Sequence, residues 1–101
     1  MVPKLPQELV ARDRSKSVAI TSTLIVETNL NRKWVAFVNK GGTDVYLRLG
    51  EAAVANEGIY LKANGGSLLL DMVLSPWYGE VRGIAITAAS IVTCQEVERK
   101  V

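Results

Sequence analysis

Apolar residues recur at every second position along most of this chain, and turn-forming residues interrupt the runs at short intervals. In "SVAITSTLIVE", residues 17–27, Val18, Ile20, Leu24 and Val26 share one face, while Ser17, Thr21, Thr23 and Glu27 lie mostly on the other. That alternation predicts one long strand. "KWVAFV" is apolar on both faces, with Trp34, Ala36 and Val38 on one and Val35 and Phe37 on the other. Such a segment predicts a central strand covered on both sides, by a second sheet or by a partner. "NKGGTD" offers the left-handed positions that a tight hairpin needs. "DVYLRL" then alternates, Val45, Leu47 and Leu49 inward and Tyr46 and Arg48 outward.

"GEAAVANEG" reads as a loop, because Gly50 and Gly58 bracket it too closely for more than one helical turn. "IYLK" is a short strand that ends at the turn "ANGG". "SLLLDMVL" follows with Leu68, Leu70 and Met72 on one face. Pro76 and Gly79 make "SPWYG" a loop. "EVRGIAIT" and "SIVTCQEVE" complete the set. Seven or eight short strands separated by turn chemistry, with no sustained helical period, predict an all-β chain. The expected architecture is a single antiparallel β-sandwich, jelly-roll-like or a related barrel, over residues 17–101. Residues 1–16 read as an N-terminal arm. Within it "PQELVARDR" fits either two turns of helix begun by Pro6 or an extended strand-like arm.

Composition sharpens this picture in three places. The chain has 101 residues, of which 49% are hydrophobic, so one domain with a real core is expected rather than two or a disordered chain. Aromatic residues make up 6%, so that core is expected to be aliphatic. The net charge of +2 sits on the arm, where Lys4, Arg12, Arg14 and Lys16 face only Glu8 and Asp13. No block of Lys and Arg is interleaved with stacking aromatics, which argues against nucleic acid as the partner. No uncharged stretch is apolar enough for a membrane helix, and no secretory signal is recognised at the start.

Catalytic chemistry finds few candidates. There is no histidine, so the commonest general base and metal ligand is missing. A single cysteine and scattered carboxylates form no metal-ligand spacing. Cys94 alternates with its neighbours and reads as a small buried hydrophobe. The glycines fall in turn contexts and match no phosphate-binding pattern. No catalytic, cofactor-binding or metal-binding residue is expected. "RKW", residues 32–34, reads either as basic charge shown to a partner or as a solvated strand end. Trp77 and Tyr78 are either loop anchors for a partner or sugar, or a cap on the end of the core.

The order of motifs resembles that of small virion proteins of tailed bacteriophages. The pattern is Asn31–Arg32, then "WVAFVN", "DVYLRLG", an alanine-rich loop into "GIYL", "NGGS" and "GEVRGIAI". It covers roughly residues 17–98 and consists of strands and turns, without a catalytic signature. The resemblance implies a capsid decoration (cement) protein, a head fibre or a tail accessory component. Such a protein is expected to bind the major capsid protein on the capsid surface of the virion, after assembly in the host cytoplasm. It is expected to act as a homotrimer. The expected contact residues are Val2, Pro3, Leu5, Leu9, Val10, Arg12, Arg14 and Lys16 of the arm, with Trp77 and Tyr78 as a second set. The arm would either cross to a neighbouring subunit or dock on its own domain. Two rival expectations are a tail or head-tail accessory protein with the same fold and a small carbohydrate- or ligand-binding β module.

Overall fold

The computed structural model describes residues 8–100. They form nine strands: β1 (Leu9–Asp13), β2 (Lys16–Val18), β3 (Thr23–Val26), β4 (Arg32–Asn39), β5 (Val45–Leu49), β6 (Ile59–Leu61), β7 (Ser67–Asp71), β8 (Val81–Ala85) and β9 (Ser90–Arg99). No helix occurs among the described residues. One antiparallel sheet has the order β1–β9–β4–β7, with β2 also paired to β9; the other has the order β3–β8–β5–β6. The two sheets pack over a shared core and make a β-sandwich, as the alternation predicts.

β1 and β2 are one strand with a local interruption. Leu9 faces Arg99 at one extreme and Val18 faces Ser90 at the other, with the offset unchanged across Arg14 and Ser15. The break is filled by side chains. Asp13 Oδ1 accepts from Ser15 N at 3.0 Å and from Ser15 Oγ at 2.6 Å. Ser15 Oγ in turn accepts from Cys94 N at 3.0 Å. These bonds to Ser15 hold the Asp13 carboxyl below its ordinary pKa. Counted this way, each sheet has four strands, and every connection changes sheet except β5 to β6. That wiring is the jelly roll.

The wiring corrects two sequence expectations and decides a third that was open. Residues 17–27 are two strands in different sheets. Thr23 Oγ1 accepts from Ala19 N at 3.1 Å and donates to Thr21 O at 2.9 Å, and this local bonding turns the chain out of the ladder. Ile20 is consequently 58% exposed, while a bulge between Leu24 and Val26 brings Ile25 and Val26 both to the core. "NKGGTD" is a crossover between β4 and β5, which lie in different sheets, rather than a hairpin. Gly41 is needed there for closeness: a Cβ on it would collide with Ser90 Oγ and come within 2.9 Å of Ile91 N. The described part of "PQELVARDR" takes the extended option, as β1 paired on its own β9.

Within β5, β7 and β9 the alternation holds. Val45 and Leu47 of β5, Leu70 and Met72 at β7, and Val92 and Cys94 of β9 point into the core, with Phe37 its one fully buried aromatic. Burial pushes the Cys94 thiol up to about 12, helped by the nearby Glu96 carboxylate. Iodoacetamide at pH 8 should therefore leave Cys94 untouched in the folded protein and alkylate it once the protein is denatured. Rapid alkylation of the native protein, read by mass spectrometry, would contradict this placement.

One end of the sandwich is knitted by Asn39, which has no exposed surface. Its Nδ2 donates to Thr43 O at 2.8 Å and Leu61 O at 3.0 Å. Its Oδ1 accepts from Ser90 Oγ at 2.7 Å and Gly41 N at 3.1 Å. Its backbone N bonds Gly66 O and its carbonyl takes Gly65 N. One side chain thus joins β4 to the crossover after it, to β6 and to the start of β9.

Candidate protein-interaction surfaces

The opposite end, where β1 begins, gathers the residues singled out for partner binding. Val2, Pro3 and Leu5 lie outside the described residues. Leu9 is exposed at the start of β1, and Val10 is half-buried beside it. Arg12, Arg14 and Lys16 alternate along β1 and β2, so period-two geometry puts them on one face at steps of roughly 7 Å. They line one side of a groove of about 530 Å³, between this edge of the sandwich and β3 with its following turn.

The groove is polar because β9 contributes Glu96 and Glu98 to the same face. Arg12 Nε donates to Glu98 Oε1 at 3.1 Å, and Arg14 Nε donates to Glu96 Oε1 at 3.2 Å. Beneath them lies Arg32, 1% exposed. Its Nε donates to Glu96 Oε2 at 2.7 Å. Its Nη1 donates to Trp77 O at 2.7 Å and Gly79 O at 3.0 Å, and its Nη2 to Glu27 O at 2.8 Å. Arg32 thus ties the turn after β3 and the loop before β8 to β9. The expectation for "RKW" is corrected: Arg32 is neither displayed nor solvated. The cause is a bulge between Arg32 and Trp34, which pairs Arg32 with Glu98 and Trp34 with Val97. Two residues that simple alternation would place on one face are sent to opposite faces.

Trp77 is also placed by this arrangement. It packs against the core, with Nε1 donating to Glu80 O at 3.0 Å. Gly50, at φ +81°, lies under the ring, where a Cβ would come within 3.0 Å of it. Of the two expectations for Trp77, the geometry matches the core cap rather than the surface anchor. Tyr78 remains 38% exposed beside it. The structure therefore does not bring Trp77 and Tyr78 together as one flat stacking platform.

A second surface is the outer face of the first sheet. Val35 and Phe37 of β4 are fully buried against the other sheet. Trp34, Ala36 and Val38 point the other way, where cross-strand neighbours include Leu69 on β7. Leu69 is 58% exposed, Ile91 of β9 is 50% exposed and Val38 is 38% exposed. So of the two covers expected for "KWVAFV", the second sheet supplies one, and no layer of the described chain supplies the other. Further exposed apolar side chains, Leu30, Val73 and Leu74, sit on the turn after β3 and the loop after β7.

Among the described residues no group of His, Cys, Asp and Glu is placed to hold a metal ion. No helix of the described chain is long and apolar enough to cross a membrane. Comparison with protein-family models, with curated proteins and with solved structures yields no match, so these surfaces are read from their own geometry.

Proposed function

We propose that this chain is a non-enzymatic structural protein of a virion, a capsid decoration protein that binds the outer capsid lattice as a homotrimer. The observation that carries the reading is the uncovered outer face of the central strand β4, where Trp34, Ala36 and Val38 stand beside Leu69 of β7 and Ile91 of β9. Central strands that are apolar on both sides are ordinarily covered on both sides. Exposed apolar patches of this kind mark association surfaces. Closed symmetry would cover such a face without leaving edges free to polymerise. The stiff ladder, cross-linked at both ends by buried polar side chains, suits a part that resists mechanical load. The charged groove and the exposed apolar loops are then left for the capsid and neighbouring subunits. A tail or head-tail accessory role would use the same surfaces and differ in where the copies sit on the particle.

The test is the double exchange Val38→Lys and Leu69→Lys. Both side chains are exposed in strands, so the far-ultraviolet circular dichroism should keep its β signature. The oligomer should fall to a monomer on a sizing column. An unchanged oligomer with the fold intact would remove this face from the interface.

A further inference from the structure

We infer that the groove beside β1 and β2 is a docking site for an extended segment of another protein that carries a carboxylate at every second residue. The inference rests on the reading of this chain as a protein-binding module and assigns the chemistry of one partner segment.

Charge comes first. Arg12, Arg14 and Lys16 stand on one strand face at alternate positions. An extended partner repeats its side chains with the same step, so acids at alternate residues meet the cations one for one. The cations keep donors for such a partner. Arg12 and Arg14 spend their Nε atoms on Glu98 and Glu96. The Nη atoms of Arg12 make no hydrogen bond among the described residues, and Lys16 Nζ has neither hydrogen bond nor ion pair there. A guanidinium held by Nε presents the two-pronged edge that a carboxylate accepts.

Backbone comes second. The opposite wall is β3, the edge of its sheet, paired to β8 on one side and to no strand on the other among the described residues. A free sheet edge recruits an extended peptide through its main chain, and side-chain pockets then select the sequence. Here the selecting groups are the three cations facing that edge.

Glu27, Glu96 and Glu98 share the groove with the cations and oppose any anionic ligand alike. What separates a peptide from a nucleic acid strand is the main chain, because a nucleic acid has no amide N–H and C=O groups to pair with the β3 edge.

The probe is a capped nine-residue peptide alternating aspartate and threonine, added to the isotopically labelled full-length protein. The expected result is amide shift changes confined to residues 9–16 and 23–29. Replacing every aspartate by asparagine should weaken binding by at least about tenfold, as should Arg12→Gln with Lys16→Gln. Both residues are exposed, so that variant should keep the native spectrum elsewhere. Shifts absent from the groove, equal binding of the asparagine peptide, or tighter binding of a thymidine oligonucleotide would each overturn the assignment. The outcome is separable from the oligomer: a trimer that ignores the peptide removes the groove site alone, and a monomer that binds it removes the trimer alone.

Discussion

Arg32→Met should lower the unfolding free energy by about 4 kcal/mol, the scale set by breaking a buried ion pair from one side. The loss goes beyond the pair. Glu96 would keep only Arg14, and the carbonyls of Glu27, Trp77 and Gly79 would lose their shared donor. Methionine fills much of the volume but satisfies none of these acceptors. Against a domain stability of roughly 5–15 kcal/mol, this is a large fraction. Urea denaturation followed by tryptophan fluorescence reads it directly, because Trp77 sits on a carbonyl that Arg32 holds. Arg32→Lys should recover less than half of the loss, since one ammonium cannot reach acceptors in three separate segments. A loss below about 1 kcal/mol for the methionine variant would mean that the cluster is solvated and not a staple.

Asn39→Ala should cost about 3 kcal/mol, the second-largest single effect expected from a polar residue here. Four side-chain bonds disappear, and their partners sit in a part-buried or buried environment. Thermal unfolding should register this as a drop in Tm of roughly 4–8 °C for each kcal/mol in a domain of this size. Amide exchange should quicken first in the segments Asn39 joins, the 40–44 crossover and the 62–66 turn. Asn39→Asp keeps the acceptor but loses the donor to Thr43 O and Leu61 O, so its loss should approach that of alanine. Uniform exchange rates in the alanine variant would contradict the role of Asn39 as the tie at that end.

Arg32 and Asn39 bracket β4, and both stand in the motif "NRKWVAFVN". The sequence shows why β4 is a strand, because its apolar run is continuous. It does not show that its two polar ends are the buried staples of the sandwich. For Arg32 the obstacle is the bulge, which reverses the face by one residue and leaves no mark in hydropathy. For Asn39 it is that two of its partners, the acceptor Leu61 O and the donor Ser90 Oγ, come from segments distant in sequence. The jelly-roll wiring was hidden for a related reason. "NKGGTD" has the composition of a hairpin, yet it serves as a corner between sheets, and strand alternation carries no information on pairing. Alternation did place Val45, Leu47, Leu70, Met72 and Cys94 correctly, because a half-buried strand must repeat every two residues.

The interaction surfaces were legible to a similar extent. The spacing of Arg12, Arg14 and Lys16 already implied one face. Their groove depends on Glu96, Glu98 and β3, which only the fold brings alongside. Trp77 was legible as a loop residue, but its direction was set by Gly50, Glu80 and Arg32 from three different segments. The outer apolar face was foreseen as a covered face. The described chain leaves it bare, and that is the strongest reason to expect a second copy.

The most direct measurement is the solution mass of the full-length protein by light scattering on a sizing column, repeated over a range of concentrations. A trimer of about 33 kDa, three times the 11.0 kDa chain, is the result expected of a closed assembly built on the outer face of the first sheet. A monomer at every concentration would contradict it.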